Sequence, residues 1–81
     1  FLKDVKRGKP YPDVFLEICK KFDVKPEETL VLEDSSNGVQ AALAGNFPVI
    51  NIPDLLPIPE EQQEKCVAVV SDLVQVIPLL D

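Results

Sequence analysis

Histidine, methionine and tryptophan are all missing from this 81-residue chain. Without histidine, the chain can build neither a Ser-His-Asp or Cys-His catalytic triad nor a histidine-ligated metal site. Basic residues are also scarce, since 8 Lys and Arg face 14 Asp and Glu and give a net charge of −6. Nucleic-acid backbones and anionic membrane surfaces bind cationic proteins. The composition therefore argues against nucleic acid and membrane as partners.

Cysteine occurs only twice, at Cys19 and Cys66. Each lies among apolar residues and neither belongs to a CxxC motif, which favours two reduced core thiols over a disulfide. No signal peptide opens the chain, and the longest uncharged stretch, 35–53, is too rich in Ser, Asn and Gln to span a bilayer. We therefore expect a cytoplasmic protein. The first residue is Phe1 rather than methionine, which suggests a truncated N-terminus.

The hydrophobic pattern predicts alternating helices and strands. A helix begins at Pro12-Asp13, carries apolar residues at every third or fourth position, and ends at Asp23 and Pro26. Short apolar runs bounded by turn residues predict three strands, and further helices lie between and after them. The predicted strands are 30–32, 49–52 and 67–70; the further helices are 36–44, which Gly45 ends, one from Glu60 and one from Ser71-Asp72 that Pro78 kinks or ends.

This order is typical of an α/β fold, a three-layer α/β/α Rossmann-like core with a parallel sheet. The length allows one small domain at most, so we expect a partial domain of about three strands. The run 30–32 is apolar on both faces, as in a central strand covered by helices on each side. Three such strands leave at least one sheet edge exposed. That edge is expected to pair with a second copy or with missing parts of the domain.

Adjacent carboxylates, Glu33 and Asp34, follow the first predicted strand and precede a helix. Ligands of open parallel sheets bind at the carboxyl ends of the strands, and Mg²⁺ needs few protein carboxylates because it keeps several waters. We expect Asp34 to point into this crevice and Glu33 to act through a metal-bound water. The alternative interpretation is that both acids cap the following helix together with Ser35 or Ser36.

A lysine in a stiff loop is the second candidate. Lys9 lies between Gly8, which gives the turn freedom, and two nearby prolines, which favour a fixed cation. A fixed cation facing a metal-bound acidic pair suits a phosphate ester. Asp13 is expected to accept hydrogen bonds from the loop backbone or to orient Lys9. The alternative is an ordinary solvated lysine. The site requires the Lys9 ammonium and the Asp34 carboxylate to converge on one pocket.

Two segments, RGKPYPDVFL at 7–16 and LVLEDSSNGVQAA at 30–42, resemble the haloacid dehalogenase-like hydrolases, most closely the beta-phosphoglucomutase-like phosphatases. The similarity continues through 47–54. It implies that Lys9 is catalytic and binds the transferring phosphoryl group, that Asp34 ligates Mg²⁺ directly and that Glu33 does so through water. Asp13, Ser35 and Asn37 are carried over as supporting residues. The acidic pair implies phosphoryl transfer rather than carbon–halogen cleavage, since the dehalogenases of the family lack it.

The resemblance is incomplete. The family's nucleophile is the first aspartate of a DxD motif, and no two aspartates of this chain are separated by a single residue. We therefore expect 1–81 to be the C-terminal part of a core domain whose nucleophile segment and substrate-selecting cap are absent. The parent would act on a small phosphorylated metabolite, whereas the isolated chain would be inactive. The alternative is a stand-alone, non-catalytic α/β module that binds a partner through its exposed sheet edge.

Overall fold

The structure, a computed structural model, describes residues 7–53, 56–72, 75 and 78. Its elements are α1 (Asp13–Phe22), a short 3-10 helix (Pro26–Glu28), β1 (Val31–Glu33), α2 (Ser36–Ala44), β2 (Val49–Asn51), α3 (Glu60–Lys65) and β3 (Ala68–Val69). The strands form one parallel sheet in the order β1-β2-β3. The predicted α/β fold with a partial parallel sheet is confirmed.

The register of the sheet decides which side chains can meet. Val31 lies opposite Val49, and Glu33 lies opposite Asn51, across β1 and β2. Because the strands run parallel, their carboxyl ends lie at the same end of the sheet, where α/β proteins bind ligands. The third strand has two residues rather than the four predicted. The residue after β3 still bonds to β2, since the N–H of Val70 donates to the carbonyl of Asn51 at 2.9 Å.

Helix α2 packs against β1 and β2 and also contacts α1 and α3. Its alanines Ala41 and Ala42 are fully buried, which lets the helix lie close to the sheet as the small side chains predicted. Helix α1 joins the same core through Phe15, whose ring meets that of Phe47 edge-on with centroids 5.7 Å apart. The buried cluster comprises Cys19, Val31, Val39, Ala42, Phe47, Val49 and Ile58.

The described sheet differs from the prediction in the position of its first strand. β1 lies at the edge and β2 is central, whereas 30–32 was expected to be central. Val31 is buried against the helices, but Leu32 on the opposite face is 45% exposed. An apolar residue on both faces of a strand therefore does not ensure that both faces are covered within the described part of the chain.

The ends of α1 and α2 lie within one residue of the predicted positions. Pro12 is the N-cap of α1 rather than its first residue, and Asp23 ends that helix in the left-handed region with φ 55°. Gly45 ends α2 as predicted, but the left-handed residue is the next one, Asn46, with φ 64°. The 3-10 helix at Pro26–Glu28 was not predicted.

The predicted last helix lies largely outside the described residues. Within them, the Asp72 carboxylate accepts a hydrogen bond from the N–H of Gln75 at 3.1 Å, the i to i+3 arrangement of a helix cap. Both cysteines are free thiols, with Cys19 buried and Cys66 half-buried. No helix among the described residues has the length and apolarity needed to cross a bilayer.

Candidate functional site

The loop that carries Lys9 is held by its own residues. The N–H of Tyr11 donates to the carbonyl of Gly8 at 3.1 Å and closes a turn. The Arg7 guanidinium donates to both carboxylate oxygens of Asp13, at 3.1 and 3.3 Å, and lies 4.1 Å from the centroid of the Tyr11 ring. The hydrogen bond to Asp13 raises the pKa of Arg7. Asp13 was expected to bond the loop backbone or Lys9, and it binds Arg7 instead. A carboxylate and a guanidinium form a bidentate pair of hydrogen bonds.

Lys9 is fixed by two contacts. Its ammonium donates to Oε2 of Glu33 at 2.8 Å, across 24 residues of sequence, and lies 5.5 Å from the centroid of the Phe15 ring. The Lys9 side chain is 40% exposed and that of Glu33 only 11%. The Lys9 ammonium is therefore paired with a largely buried carboxylate, while its own side chain stays exposed. The structure thus brings Lys9 to Glu33, the neighbour of Asp34.

Glu33 is held at both its backbone and its side chain. Its carbonyl accepts two hydrogen bonds, from the N–H of Ile52 at 2.9 Å and from Nδ2 of Asn51 at 3.1 Å. Its side chain lies against the backbone of Gly38 in the first turn of α2. The carboxylate that receives Lys9 therefore has little freedom to move.

Asp34 differs from its neighbour, because it is exposed after the end of β1. The residue that caps α2 is Ser35, whose Oγ accepts from the N–H of Gly38 at 3.1 Å. Asn37 is exposed in the first turn of the same helix. Of the two interpretations of the acidic pair, the cap interpretation thus applies to Ser35, and the Asp34 carboxylate faces solvent.

The carboxylates of Glu33 and Asp34 supply some of the ligands that a hard cation needs. Carboxylate oxygens are the ligands that Mg²⁺ prefers, and it binds through one or two of them with several waters. Oε2 of Glu33 is occupied by Lys9, which leaves Asp34 as the open carboxylate at the end of β1. Within 7–53 and the later described residues, no group of three or more His, Cys, Asp or Glu side chains forms a metal site. The residues present fit Mg²⁺ as contributors to a site.

Two residues of this region escaped the sequence analysis. Asn51 is fully buried, and its Oδ1 has no hydrogen-bond partner among the described residues. A polar residue inside the apolar run 49–52, at the carboxyl end of its strand, was the available signal. Gly38 had a weaker signal, a glycine within a predicted helix.

Comparison with known proteins assigns the family. The model of the haloacid dehalogenase-like hydrolases matches residues 2–46, more than half of the chain. The chain belongs to this hydrolase family, and its relatives place it in the phosphatase branch. The resemblance drawn from the two sequence segments is confirmed.

Three relatives illustrate the match. A probable pseudouridine-5'-phosphatase of Drosophila melanogaster is 46% identical over 65 residues, which cover 78% of this chain and 26% of that protein. The crystal structure of CbbY from Rhodobacter sphaeroides in complex with phosphate has a TM-score of 0.76 at 28% identity, covering 89% of this chain and 32% of CbbY. A putative beta-phosphoglucomutase from Thermotoga maritima has a TM-score of 0.75 at 30% identity, covering 95% and 38%. The chain thus spans well under half the length of each.

Proposed function

We propose that residues 1–81 form the C-terminal part of the core domain of a Mg²⁺-dependent phosphatase or phosphomutase acting on a small phosphorylated metabolite. The observation that carries the proposal is the 2.8 Å contact between the Lys9 ammonium and Glu33. It places the loop cation beside the acidic pair at the carboxyl end of β1, where α/β folds bind ligands. Named relatives that act on phosphorylated compounds support the substrate class.

Each residue then has a defined task. Lys9 donates to the non-bridging oxygens of the phosphoryl group and stabilises the negative charge of the transition state. Glu33 holds Lys9 in place. Asp34 would hold Mg²⁺, with Glu33 contributing through a water, and Asp13, Ser35 and Asn37 would support the Lys9 loop and the start of α2. When bound, Mg²⁺ screens the phosphate charge so that an anionic nucleophile can approach.

The nucleophile is proposed to come from outside these 81 residues, since they contain no DxD motif. An aspartate oxygen would form a bond to phosphorus while the bond from phosphorus to the substrate oxygen breaks, leaving an aspartyl-phosphate. Water would release phosphate in a phosphatase, and a sugar hydroxyl would take the phosphoryl group in a mutase. The isolated chain is therefore proposed to be inactive.

The missing part is proposed to dock on the open side of β1. Leu30 and Leu32 are exposed there, and Phe15, Ile18 and Phe47 line an adjoining apolar groove. The edge of β1 that is unpaired among the described residues favours addition of another strand, and the exposed leucines favour a further layer over the open face. The relatives are long enough to supply one, because this chain covers 26–38% of them. The two free thiols fit a reducing compartment such as the cytoplasm.

A chimera tests the proposal. The 81 residues replace the matching part of the Thermotoga maritima protein, of which they cover 38%. We expect Mg²⁺-dependent hydrolysis of p-nitrophenyl phosphate, with losses of about 100- to 1,000-fold in kcat for Lys9→Ala and for Asp34→Ala. Lys20→Ala, at an exposed lysine of α1, is the matched control and should keep full activity.

A folded chimera in which Lys9→Ala retains its rate would contradict the proposal. The isolated chain provides a second check, because it should not turn over p-nitrophenyl phosphate at all. Turnover by the isolated chain that disappears in Lys9→Ala would show that the nucleophile lies within these residues.

The second candidate is a non-catalytic α/β module that binds a partner through β1, which the exposed Leu32 supports. The chimera separates the two functions. A folded chimera without activity, together with an isolated chain that binds a partner and loses it in Leu32→Asp, would favour the module.

A further inference from the structure

Gly38 is a glycine inside a helix, at a position that needs no special backbone conformation. Gly38 is the third residue of α2, and no described glycine has a positive φ. Glycine is among the poorest helix formers and alanine the best. It is also buried, so solvent exposure does not explain its presence. Its place in the helix requires another reason.

The reason lies in the side chain of Glu33. A Cβ built on Gly38 would overlap Cγ, Cδ and Oε1 of Glu33, so the three nearest obstacles all belong to one residue. The Glu33 carboxylate thus occupies the space that any larger residue at 38 would fill. Its other oxygen, Oε2, is the one that receives the Lys9 ammonium at 2.8 Å.

We propose that Gly38 is a positioning residue that acts on Lys9 through Glu33. The absent side chain forms a slot at the start of α2, the slot admits the Glu33 carboxylate, and the carboxylate fixes the ammonium. The role of Lys9 in phosphoryl transfer rests on the proposed function, whereas the slot and the ion pair do not.

The three glycines of the chain provide a matched substitution series. A Cβ on Gly8 meets nothing within 4 Å, whereas one on Gly45 meets Phe47 ring atoms at 2.7 and 2.9 Å and Cβ of Pro12 at 3.0 Å. Gly8→Ala is therefore a neutral control. Gly45→Ala is a control for strain that does not involve Glu33, because the atoms it meets belong to Phe47 and Pro12. Only Gly38→Ala should disturb the Lys9–Glu33 contact.

The first readout is NMR of the 81-residue chain. In the native chain the hydrogen-bonded Lys9 ammonium should give a resolved ¹H–¹⁵N signal at low temperature, with a coupling across the hydrogen bond to the Glu33 carboxyl carbon. Gly8→Ala and Gly45→Ala should keep that coupling, and Gly38→Ala should lose it. A folded Gly38→Ala chain with an unchanged coupling would overturn the proposal.

The second readout uses stability and covers the case in which Gly38→Ala does not fold. With Glu33 present, Gly38→Ala displaces the end of the Glu33 side chain and breaks its ion pair with Lys9, so the gain in helix propensity is offset and the urea midpoint of unfolding should not rise. In a Glu33→Ala background the same substitution should raise the midpoint, because the overlap is gone and alanine favours the helix. A loss of equal size in both backgrounds, or two unfolded variants, would overturn the proposal.

Activity of the chimera separates this inference from the proposed function. Loss of the ion pair in Gly38→Ala with no change in rate would support the slot and contradict the task given to Glu33, which is to hold Lys9 in place for phosphoryl transfer. An intact coupling in Gly38→Ala would contradict the proposed slot. The catalytic role of Lys9 is tested separately, by the Lys9→Ala variant of the chimera.

Discussion

The two faces of β1 differ in how far their side chains are buried. On one face, Val31 is 8% exposed and packs in the cluster with Val39 and Val49; on the other, its neighbour Leu32 is 45% exposed. Both residues have side chains suited to burial. Within the described part of the chain, the helix-covered face of β1 is therefore buried, whereas the opposite face leaves apolar surface exposed to solvent.

The same contrast recurs one residue further along, at the site. Glu33 is largely buried, pairs with Lys9 and lies against Gly38, whereas Asp34 is exposed. One carboxylate is thus used inside the structure and the other is available to a ligand. Substitutions at buried positions should therefore cost more stability than substitutions at exposed positions.

The largest expected effect comes from two phenylalanines. Phe47 is 3% exposed within the core, and Phe22 is 67% exposed at the end of α1. Phe47→Ala should lower the free energy of unfolding by about 3–5 kcal/mol, since it leaves a cavity. Phe22→Ala should change it by less than about 0.5 kcal/mol. Urea denaturation followed by circular dichroism measures both; equal losses would mean that the core is not where the structure places it.

The two faces of β1 provide the second comparison. Val31→Ala should cost about 1.5–3 kcal/mol of unfolding free energy, because it removes part of a buried side chain. Leu32→Ala should cost less in the isolated chain, although leucine is the larger residue, since much of its surface already meets water. The order should reverse in the chimera, where the remainder of the domain covers the face of the sheet that carries Leu32. An unchanged order there would contradict docking on this face.

The helix cap at the site gives a smaller effect. Ser35→Ala removes the acceptor for the N–H of Gly38 and should cost about 1 kcal/mol, while Ser35→Gly should cost only a few tenths. The measurement is again the urea midpoint. Equal effects of alanine and glycine would show that the Ser35 hydroxyl does not cap α2.

The smallest effect concerns Cys66. Burial raises the pKa of its thiol. The thiol therefore ionises at a higher pH in the folded chain than in the unfolded chain, so its contribution to stability is complete at neutral pH and declines as the pH rises past its ordinary value. The urea midpoint of the native chain should fall more between pH 8 and pH 10 than that of Cys66→Ser. Parallel pH profiles would contradict the shift.

Much of the architecture was accessible from the sequence because it rests on local chemistry. The helical period of 13–22, the small residues of α2 and the apolar runs of the strands each predict one element. The position of β1 was not accessible, because pairing depends on which strands are present rather than on the apolar pattern of one strand. The pattern of 30–32 is the same whether one or both of its edges are paired.

The sequence predicted the two loops of the candidate site but not the contacts between their side chains. Both motifs identified the loops of Lys9 and of the acidic pair, but only the structure pairs Lys9 with Glu33 and Asp13 with Arg7. Such choices depend on distances of a few ångströms between side chains that are far apart in sequence. The role of Gly38 is likewise visible only once the Glu33 side chain is placed.

The central claim is that Lys9 and Asp34 serve one phosphate-binding pocket from two loops. A crystal structure of the chimera with Mg²⁺ and inorganic phosphate tests it most directly. The account predicts the Lys9 ammonium within hydrogen-bond distance of a phosphate oxygen and the Asp34 carboxylate among the ligands of the metal. Phosphate and metal bound elsewhere, with Lys9 and Asp34 touching neither, would contradict it.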